Sequence, residues 1–581
     1  MLKDCIEIFN KEVEKHCQNP GCDEISFITD NYTLSDGTFL LLDSETGEIK
    51  EELTVNKNTD KGLTLYREFA KKDYLSKLID MNKPIDGKKT IHSNNYLSFY
   101  VKKESIKDKL IKETVNGYYD ILKNPLLNKY KGKKESEKIY KNFIEKNGEV
   151  DDKKVEKYHK FILKFFFEEN PLVSELSKEK NYLKLFFDVD IQEYRRESER
   201  YIIPNIYNSN EYNYPCDKSG EIFGFPNNNI GLNTKKPFLE NKTRLEEVPY
   251  YISQEEVLKQ KLFFDHLLNL ASNREYYIYI NEEGIKSLKN GELPEKDFSG
   301  YFLRIKKSKE CEIHDFDIIE NISTDIEIKV DDLLNIKYGN YPQALEYGTI
   351  SKLNELLVKV NEIFYSKWLL SNFFTESKDI KIKNDSGALK NILLSSRIAW
   401  INWFYKGNTR VIKSTFAKFS LELIKNSINN DNFMKAREQF NLRIAILEFL
   451  KEKDNEMSEK ISKFGIMLDE KINSKTSPKI ESDDEYYFAV GQLVNYFISL
   501  NKGSKKNHSL INPILQAKTN AKLKKELKKM FVKYDYAIST NSLRFENLFG
   551  MICRYEPEKN INDEILLGGY LYNSLMYKKG E

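Results

Sequence analysis

The sequence predicts an α+β protein, with a mixed α/β N-terminal region followed by a C-terminal helical bundle. Strand-like and helix-like segments alternate over the first 340 residues, which is typical of a mixed architecture. After Pro342 prolines become rare and long helical periodicities continue to the C-terminus, as in helical bundles. At 581 residues the chain is too long for one core. We therefore expect a mixed α/β region at 1–340, which can divide into two subdomains near 105–180, and a helical domain at 341–581.

The first part of the chain predicts a helix, a hairpin and a strand. Ile6, Phe9 and Val13 recur at helical spacing within 1–15. Residues 38–55 hold two strand-like runs around the turn sequence SETG, the pattern of a β-hairpin. A further strand is expected at 96–101. From 106 to 169 the sequence becomes helical and rich in lysine, as is usual for solvated helix faces.

The middle of the chain predicts further strands around an amphipathic helix. The segment LKLFFDVDI at 183–191 is mostly apolar and predicts a buried strand. Spacing of apolar residues at 254–271 predicts a helix, and strands are expected at 276–280 and 301–305. Loose alternation at 311–328 is also compatible with strands.

Composition limits the kind of protein this can be. The formal net charge is only +2, so any nucleic-acid contact must rest on local basic patches or be shared with partner subunits. The six cysteines are scattered without a CxxC pair, which indicates free thiols in a reducing compartment. We find neither an apolar signal core nor a run of membrane-spanning length, and so expect a cytoplasmic protein. We expect no cofactor and no metal.

The segment GFPNNNIGLNTKKPFLENKTR at 224–244 is the first candidate for nucleic-acid contact. Glycine lets a backbone approach a ligand closely, side-chain amides can read base edges, and basic side chains can neutralise phosphates. The alternative is an ordinary long connection, since Asn, Gly and Pro are common turn residues. The candidate residues of this basic loop are Asn227, Asn228, Asn229, Asn233, Lys235, Lys236, Lys242 and Arg244.

Arginine is scarce in this chain, which draws attention to Arg195, Arg196 and Arg200. If their segment is helical, Arg196 and Arg200 stand one turn apart, and arginine binds phosphate through its bidentate fork. The alternative is a salt-bridged helix end, because acidic residues at 193, 197 and 199 are available for pairing. Proximity to the basic loop favours a shared anionic partner.

A lysine-rich helix near the C-terminus is the third candidate. Leu523, Leu527, Met530, Phe531 and Tyr534 share one face of the predicted helix. Lysines at 522, 524, 525, 528, 529 and 533 fill the rest of its surface. Such a face suits a sequence-neutral contact with nucleic acid, although it is often only solvated. The residues chosen as candidate contacts are Lys525, Lys528 and Lys529.

Catalytic patterns are scarce. The six histidines form no HxH or HExxH motif, and no Walker, dinucleotide-binding or nucleophile-elbow motif occurs. His266 is expected to be packed or surface-exposed rather than catalytic. Asp188 and Asp190 form a DxD whose carboxylates would share one face of the predicted strand, which leaves a metal-dependent nuclease as an alternative. Aromatic residues from Trp400 to Tyr405 beside basic residues can stack bases, but burial in a bundle core explains them better.

Taken in order, five stretches of the chain resemble the large subunit of type I-B CRISPR surveillance complexes (Cascade). The block GEIFGFPNNNIGLNTKKPFLENKTR is the most specific of them. The five stretches lie at 188–208, 220–244, 248–271, 488–500 and 566–577. Some members of that family have paired cysteines in the middle region, whereas only Cys216 stands here, so no zinc site is carried over.

The resemblance implies a non-catalytic subunit that serves antiviral defence. Such a subunit would bind the 5′ end of the guide RNA and inspect the motif flanking a double-stranded DNA target, while base pairing reads the rest. Its partners would be the backbone, guide-end and small subunits of the complex, together with the helicase-nuclease recruited on target binding. The C-terminal portion, from about 434–467, would resemble a small subunit made from an internal start at Met434, Met457 or Met467. A scaffold that binds only proteins remains a further alternative.

Overall fold

The computed structural model confirms the α+β class, with an N-terminal α/β region and helices in the C-terminal part. The structure describes residues 1–79, 81, 83–207, 214–216, 221–223, 252–308, 311–383, 387–451, 456–501, 507–539 and 542–577. The chain forms two compact units, Met1–Lys289 with Tyr301–Asp317, and Asn290–Gly300 with Ile318–Glu581. The boundary predicted at 340 therefore falls inside the second unit, which also includes strand residues before that position.

The first unit alternates helices and strands. Its helices within the described residues are α1 Leu2–Cys17, α2 Glu24–Thr29, α3 Thr64–Ser76, α4 Lys112–Lys123, α5 Lys134–Asn147, α6 Asp152–Phe167, α7 Pro171–Leu176, α8 Ile191–Ile206 and α9 Gln254–Ser272. Its strands are β1 Gly37–Leu42, β2 Ile49–Val55, β3 Ser98–Lys102, β4 Tyr182–Phe187, β5 Tyr214–Pro215, β6 Ile222–Phe223, β7 Glu275–Asn281 and β8 Gly284–Lys289. Two longer strands, β9 Phe298–Lys307 and β10 Cys311–Ile322, have residues in both units.

The second unit is largely helical. It starts with strands β11 Asp325–Val330 and β12 Gly348–Lys352, and a π-helical turn occupies Val360–Phe364. Its helices within the described residues are α10 Leu353–Lys359, α11 Trp368–Ser371, α12 Ala388–Lys406, α13 Arg410–Asn429, α14 Phe433–Lys451, α15 Glu456–Asn473, α16 Asp483–Ser499, α17 Asn512–Leu515, α18 Asn520–Tyr534, α19 Leu543–Arg554 and α20 Asp563–Leu571.

A four-stranded mixed sheet in the order β2-β1-β4-β3 organises the first unit. Strands β1 and β4 are parallel, whereas β2 and β3 pair antiparallel at the edges. The central strands are buried on both faces, which their apolar sequences GTFLLL and YLKLFF explain. Lys184 is the exception in β4: its ammonium lies 2.5 Å from the buried carboxylate of Asp73 on α3, so the buried charge is paired. A second sheet has the order β10-β9-β7-β8.

The hairpin predicted at 38–55 is confirmed as β1 and β2. Its turn forms because the Asp43 carboxylate accepts hydrogen bonds from the backbone N–H groups of Glu45 and Thr46. Gly47 then adopts a φ of +74°, and a Cβ at this position would clash with the ring of Phe161. The expected helices at 1–15 and 254–271 and the strands at 96–101, 276–280 and 301–305 are confirmed with small shifts of their ends.

The strand predicted at 183–191 is shorter than expected. It ends at Phe187, and α8 begins at Ile191, where the Asp190 carboxylate accepts a hydrogen bond from the backbone N–H of Gln192. The interpretation that Asp188 and Asp190 share one face of a strand is therefore wrong, because both lie in the connection after β4.

Helices α16 and α20 form a close pair at the centre of the second unit's core. A Cβ added to Gly491 would clash with the backbone of Leu566, and one added to Gly569 would clash with the backbone of Phe488. Glycine is required there because the two backbones touch. The side chain of Gln492 also donates a hydrogen bond to the carbonyl oxygen of Tyr572. The segments 488–500 and 566–577, which carry part of the family resemblance, thus pack directly on each other.

Helix α14 is buried with polar side chains that hold irregular backbone. The Glu438 carboxylate accepts hydrogen bonds from the backbone N–H groups of Ala344 and Leu345. The Gln439 amide donates to the carbonyl oxygens of Ile363 and Phe364 in the π-helical turn. These contacts satisfy backbone groups that the turn and the loop leave unpaired, so α14 fixes segments that have no regular partner.

None of the helices in the described ranges combines the length and the apolar character that a bilayer-spanning segment requires.

Candidate nucleic-acid interface

The basic loop lies outside the described residues. This applies to all of its candidate contacts: Asn227, Asn228, Asn229, Asn233, Lys235, Lys236, Lys242 and Arg244. The predicted contact of this loop with nucleic acid therefore stays a prediction. In the chain, the segment 208–251 connects the C-terminus of α8 to the N-terminus of α9.

The arginine cluster lies on α8, as predicted, and its charges are used within the first unit. Arg200 is buried, and its guanidinium bonds both carboxylate oxygens of Glu197, with the closer pair of atoms 2.8 Å apart. It also donates to the carbonyl oxygen of Gly148 at 3.0 Å. Burial opposes the charge on Arg200, but the hydrogen bonds and the charge of Glu197 raise its pKa overall.

The other two arginines are also paired but more accessible. Arg195 bonds Glu24 at 2.6 Å and Glu199 at 3.1 Å, and Arg196 bonds Glu197 at 3.2 Å. The alternative of a salt-bridged helix describes these contacts. Before any of these arginines could hold a phosphate, a carboxylate would have to be displaced, and for Arg200 that would leave Glu197 buried without its partner.

The lysine-rich helix forms as predicted and presents its charge outward. Thr519 begins α18 by accepting a hydrogen bond from the backbone N–H of Lys522. Leu523, Leu527, Met530 and Tyr534 are buried on one face, and Phe531 is partly buried beside them. Lysines 522, 525, 528, 529 and 533 are exposed on the remaining surface. The helix carries six lysines and one glutamate, so its charge is strongly positive.

The lysines of α18 differ in their partners. Lys524 donates to the carbonyl oxygen of Tyr555 and to Glu556, and Lys529 bonds Glu526 at 2.8 Å. By contrast, the structure gives the ammonium groups of Lys522, Lys525 and Lys528 no acidic partner among the described residues. An exposed cation without a carboxylate partner keeps its full charge for an anion in solution.

A cavity of about 150 Å³ opens beside this helix. One wall is formed by Leu510, Pro513 and Ile514, around the start of α17. Met530 and Tyr534 of α18 form the other wall. Glu526, Lys529 and Lys533 also line it. The sequence assigned Met530 and Tyr534 only to the core; nothing in the helical spacing shows that a neighbouring turn stands off from them.

The carboxylates of the DxD have structural partners. Asp188 lies 2.6 Å from the ammonium of Lys50, and Asp190 caps α8. Within the described ranges no group of three or more His, Cys, Asp or Glu side chains is placed to hold a metal ion. The nuclease alternative therefore has no assembled carboxylate cluster around this pair.

Two further expectations about packing are confirmed. Trp400 and Phe404 are fully buried, and the indole N–H of Trp400 donates to the hydroxyl of Tyr365 at 2.9 Å. These rings pack inside the second unit, where no base can stack on them. His266 is buried against the rings of Phe9 and Phe27, and burial lowers its pKa to about 4.

The described part of the chain thus presents one exposed lysine face with an adjoining cavity, on α18. All six cysteines are free, with Cys5 and Cys311 buried. Comparison of the chain with protein-family models, with curated proteins and with solved structures found no match.

Proposed function

We propose that this chain is a non-catalytic, nucleic-acid-binding subunit, namely the large subunit of a type I-B CRISPR surveillance complex. In this role it binds the 5′ end of the guide RNA and inspects the motif that flanks a double-stranded DNA target. It then helps to recruit the helicase-nuclease that degrades the DNA. The proposal combines the sequence resemblance at five stretches with the surface chemistry of α18.

The lysine face of α18 is the observation that carries the proposal. Lys522, Lys525 and Lys528 are exposed and have no acidic partner in the described part of the chain. Neutralising phosphates with such side chains releases condensed counterions, which is the main source of sequence-independent affinity. The near-neutral net charge of +2 agrees with a protein that concentrates positive charge locally and shares its RNA with other subunits.

The two candidate basic surfaces take different parts in this proposal. Because the α8 arginines are engaged by carboxylates of the first unit, α18 and the basic loop at 224–244 are the surfaces available for phosphate. We assign α18 to a sequence-neutral contact with the displaced or target strand. The basic loop, with its asparagines, is assigned to the flanking motif or the RNA handle.

The structure also bears on the internal start. A fragment beginning at Met434 would retain α14 but lose the partners of Glu438 and Gln439, which all lie earlier in the chain. A fragment beginning at Met467 would cut α15 and remove the buried Ile461 from the core. Met457 coincides with the start of α15, so we propose it as the start of a separate small subunit.

We place the protein in the cytoplasm, where free thiols stay reduced. Its proposed partners are the guide RNA, the DNA target, the other Cascade subunits and the helicase-nuclease.

Binding of nucleic acid by the full chain tests this function. Fluorescence anisotropy with labelled single-stranded and duplex DNA should show affinity that falls steeply as salt rises. Co-expression with companion subunits should yield a particle containing guide RNA. A chain that assembles with those subunits but binds neither DNA nor RNA would instead be a protein-only scaffold, and a metal-dependent cut in the labelled DNA that Asp188→Asn abolishes would make it a nuclease.

A further inference from the structure

The cavity beside α18 has the size and lining of a site for one aromatic ring. Its volume is about 150 Å³. An apolar protein cavity of about 150 Å³ holds a benzene molecule, so one six-membered ring fits and two fused rings do not. Leu510, Ile514 and Met530 make its walls apolar, which favours an uncharged planar group over an ion.

A buried hydroxyl in the same cavity has no partner. Tyr534 is only 2% exposed, and its hydroxyl makes no hydrogen bond within the described structure. A buried polar group without a partner costs roughly 1–3 kcal/mol, so such groups are rare unless a ligand or water completes them. The ring of Tyr534 is held in place by stacking on Phe497, with ring centroids 6.4 Å apart and planes 13° apart.

Positive charge lines this cavity and continues along α18. Lys529 and Lys533 line it, and the ammonium of Lys533 lies 5.2 Å from the centre of the Tyr534 ring. They are four residues apart, which is about 6 Å along the helix axis, and Lys522 continues the same row. An anion-bearing chain lying on this row would pass beside the cavity.

We propose that the cavity receives one unstacked pyrimidine base from a nucleic-acid strand that lies along α18. This inference rests on the proposed function and adds to it the state of the ligand, a single strand, and a base class. Lys529 and Lys533 would hold the phosphates on either side of the inserted base, and the hydroxyl of Tyr534 would hydrogen-bond a polar edge of the ring. Repeated backbone charge beside planar apolar rings is the chemistry of a single strand, and proteins bind such strands with basic grooves and aromatic side chains. An acidic protein segment would match the charge but has no planar ring at each repeat.

Two substitutions test the cavity without touching the lysines. Leu510→Trp fills it from a partly buried wall, and Tyr534→Phe removes only the hydroxyl that has no protein partner. The probes are labelled oligo(dT) and oligo(dA) of equal length, which carry the same charge, binding to the full chain. Leu510→Trp should weaken oligo(dT) about 5- to 100-fold, the range expected for one lost base contact, and leave oligo(dA) unchanged. Tyr534→Phe should weaken oligo(dT) about 5- to 10-fold while the protein stays as stable as wild type.

The outcomes separate this inference from the function on which it rests. Equal effects of Leu510→Trp on both oligonucleotides, or no effect on either, would overturn the base site. In that case a loss of both affinities in K522Q/K525Q/K528Q would show that the lysine face still binds nucleic acid. If the wild-type chain binds neither oligonucleotide, the proposed function fails as well. Oligoglutamate that displaces oligo(dT) from wild type and loses its own affinity in Leu510→Trp would identify an acidic protein segment as the occupant and also overturn the inference.

Discussion

Removing three exposed lysines from α18 should lower nucleic-acid affinity in a way that salt titration can count. The variant K522Q/K525Q/K528Q replaces side chains that have no acidic partner in the described ranges. Glutamine keeps nearly the same helix propensity, so the helix should be retained. Exposed substitutions of this kind usually change stability by about 0.5 kcal/mol or less.

The magnitude follows from counterion release. Each phosphate contact on a single strand contributes about 0.7 to the slope of log K against log salt, so three lost contacts reduce the slope by about 2. Between 50 and 200 mM salt, a fourfold change, the ratio of wild-type to variant affinity should therefore shrink by about 20-fold. The assay is fluorescence anisotropy of a labelled single strand at several salt concentrations.

The matched control removes the same charge elsewhere. K153Q/K160Q/K164Q takes three exposed lysines from α6, in the first unit. If the contact is specific to α18, this control keeps the wild-type slope. Equal slopes for wild type and K522Q/K525Q/K528Q, or equal losses in both triple variants, would refute a localised contact on α18.

Four further outcomes are expected. Arg200→Ala should lower the free energy of unfolding by about 3–5 kcal/mol in urea denaturation, because Glu197 stays buried without its partner, whereas the double change with Glu197→Ala should cost less. Burial lowers the pKa of His266 to about 4 from 6.5, so the unfolded state binds the proton first as pH falls; stability should drop by about 3 kcal/mol between pH 6.5 and 4, and His266→Phe should flatten this loss. Intact-mass measurement of the assembled complex should find a fragment covering 457–581, and a fragment starting at Met434 or Met467 would contradict the proposed start. K235A/K236A/R244A should weaken binding of a target duplex by the assembled complex and flatten its salt dependence, and unchanged affinity would remove the basic loop from the interface.

Features set by local chemistry were predictable from the sequence. The hairpin at 38–55 follows from a turn in which Asp43 bonds two backbone N–H groups, all within four residues. The buried and exposed faces of α18 follow from helical periodicity, because one face carries Leu523, Leu527 and Met530 and the rest carries lysine. These patterns need no distant partner to be correct.

Features set by distant residues could not be predicted in the same way. Arg195 is paired with Glu24, 171 positions away, and spacing along α8 gives no sign of that contact. The strand β4 stops at Phe187 because the chain turns there into α8, although the apolar pattern continues. The cavity beside α18 exists because the segment around Leu510 and Pro513 packs against that helix without filling the space.

Crosslinking within the assembled complex tests the central claim most directly. Guide RNA and target DNA carrying photoreactive pyrimidines would be irradiated in the complex, and crosslinked peptides would be identified by mass spectrometry. We predict crosslinks on α18, at 520–534, and on the basic loop at 224–244. Crosslinks confined to the companion subunits, with none on this chain, would contradict a nucleic-acid-binding role for it.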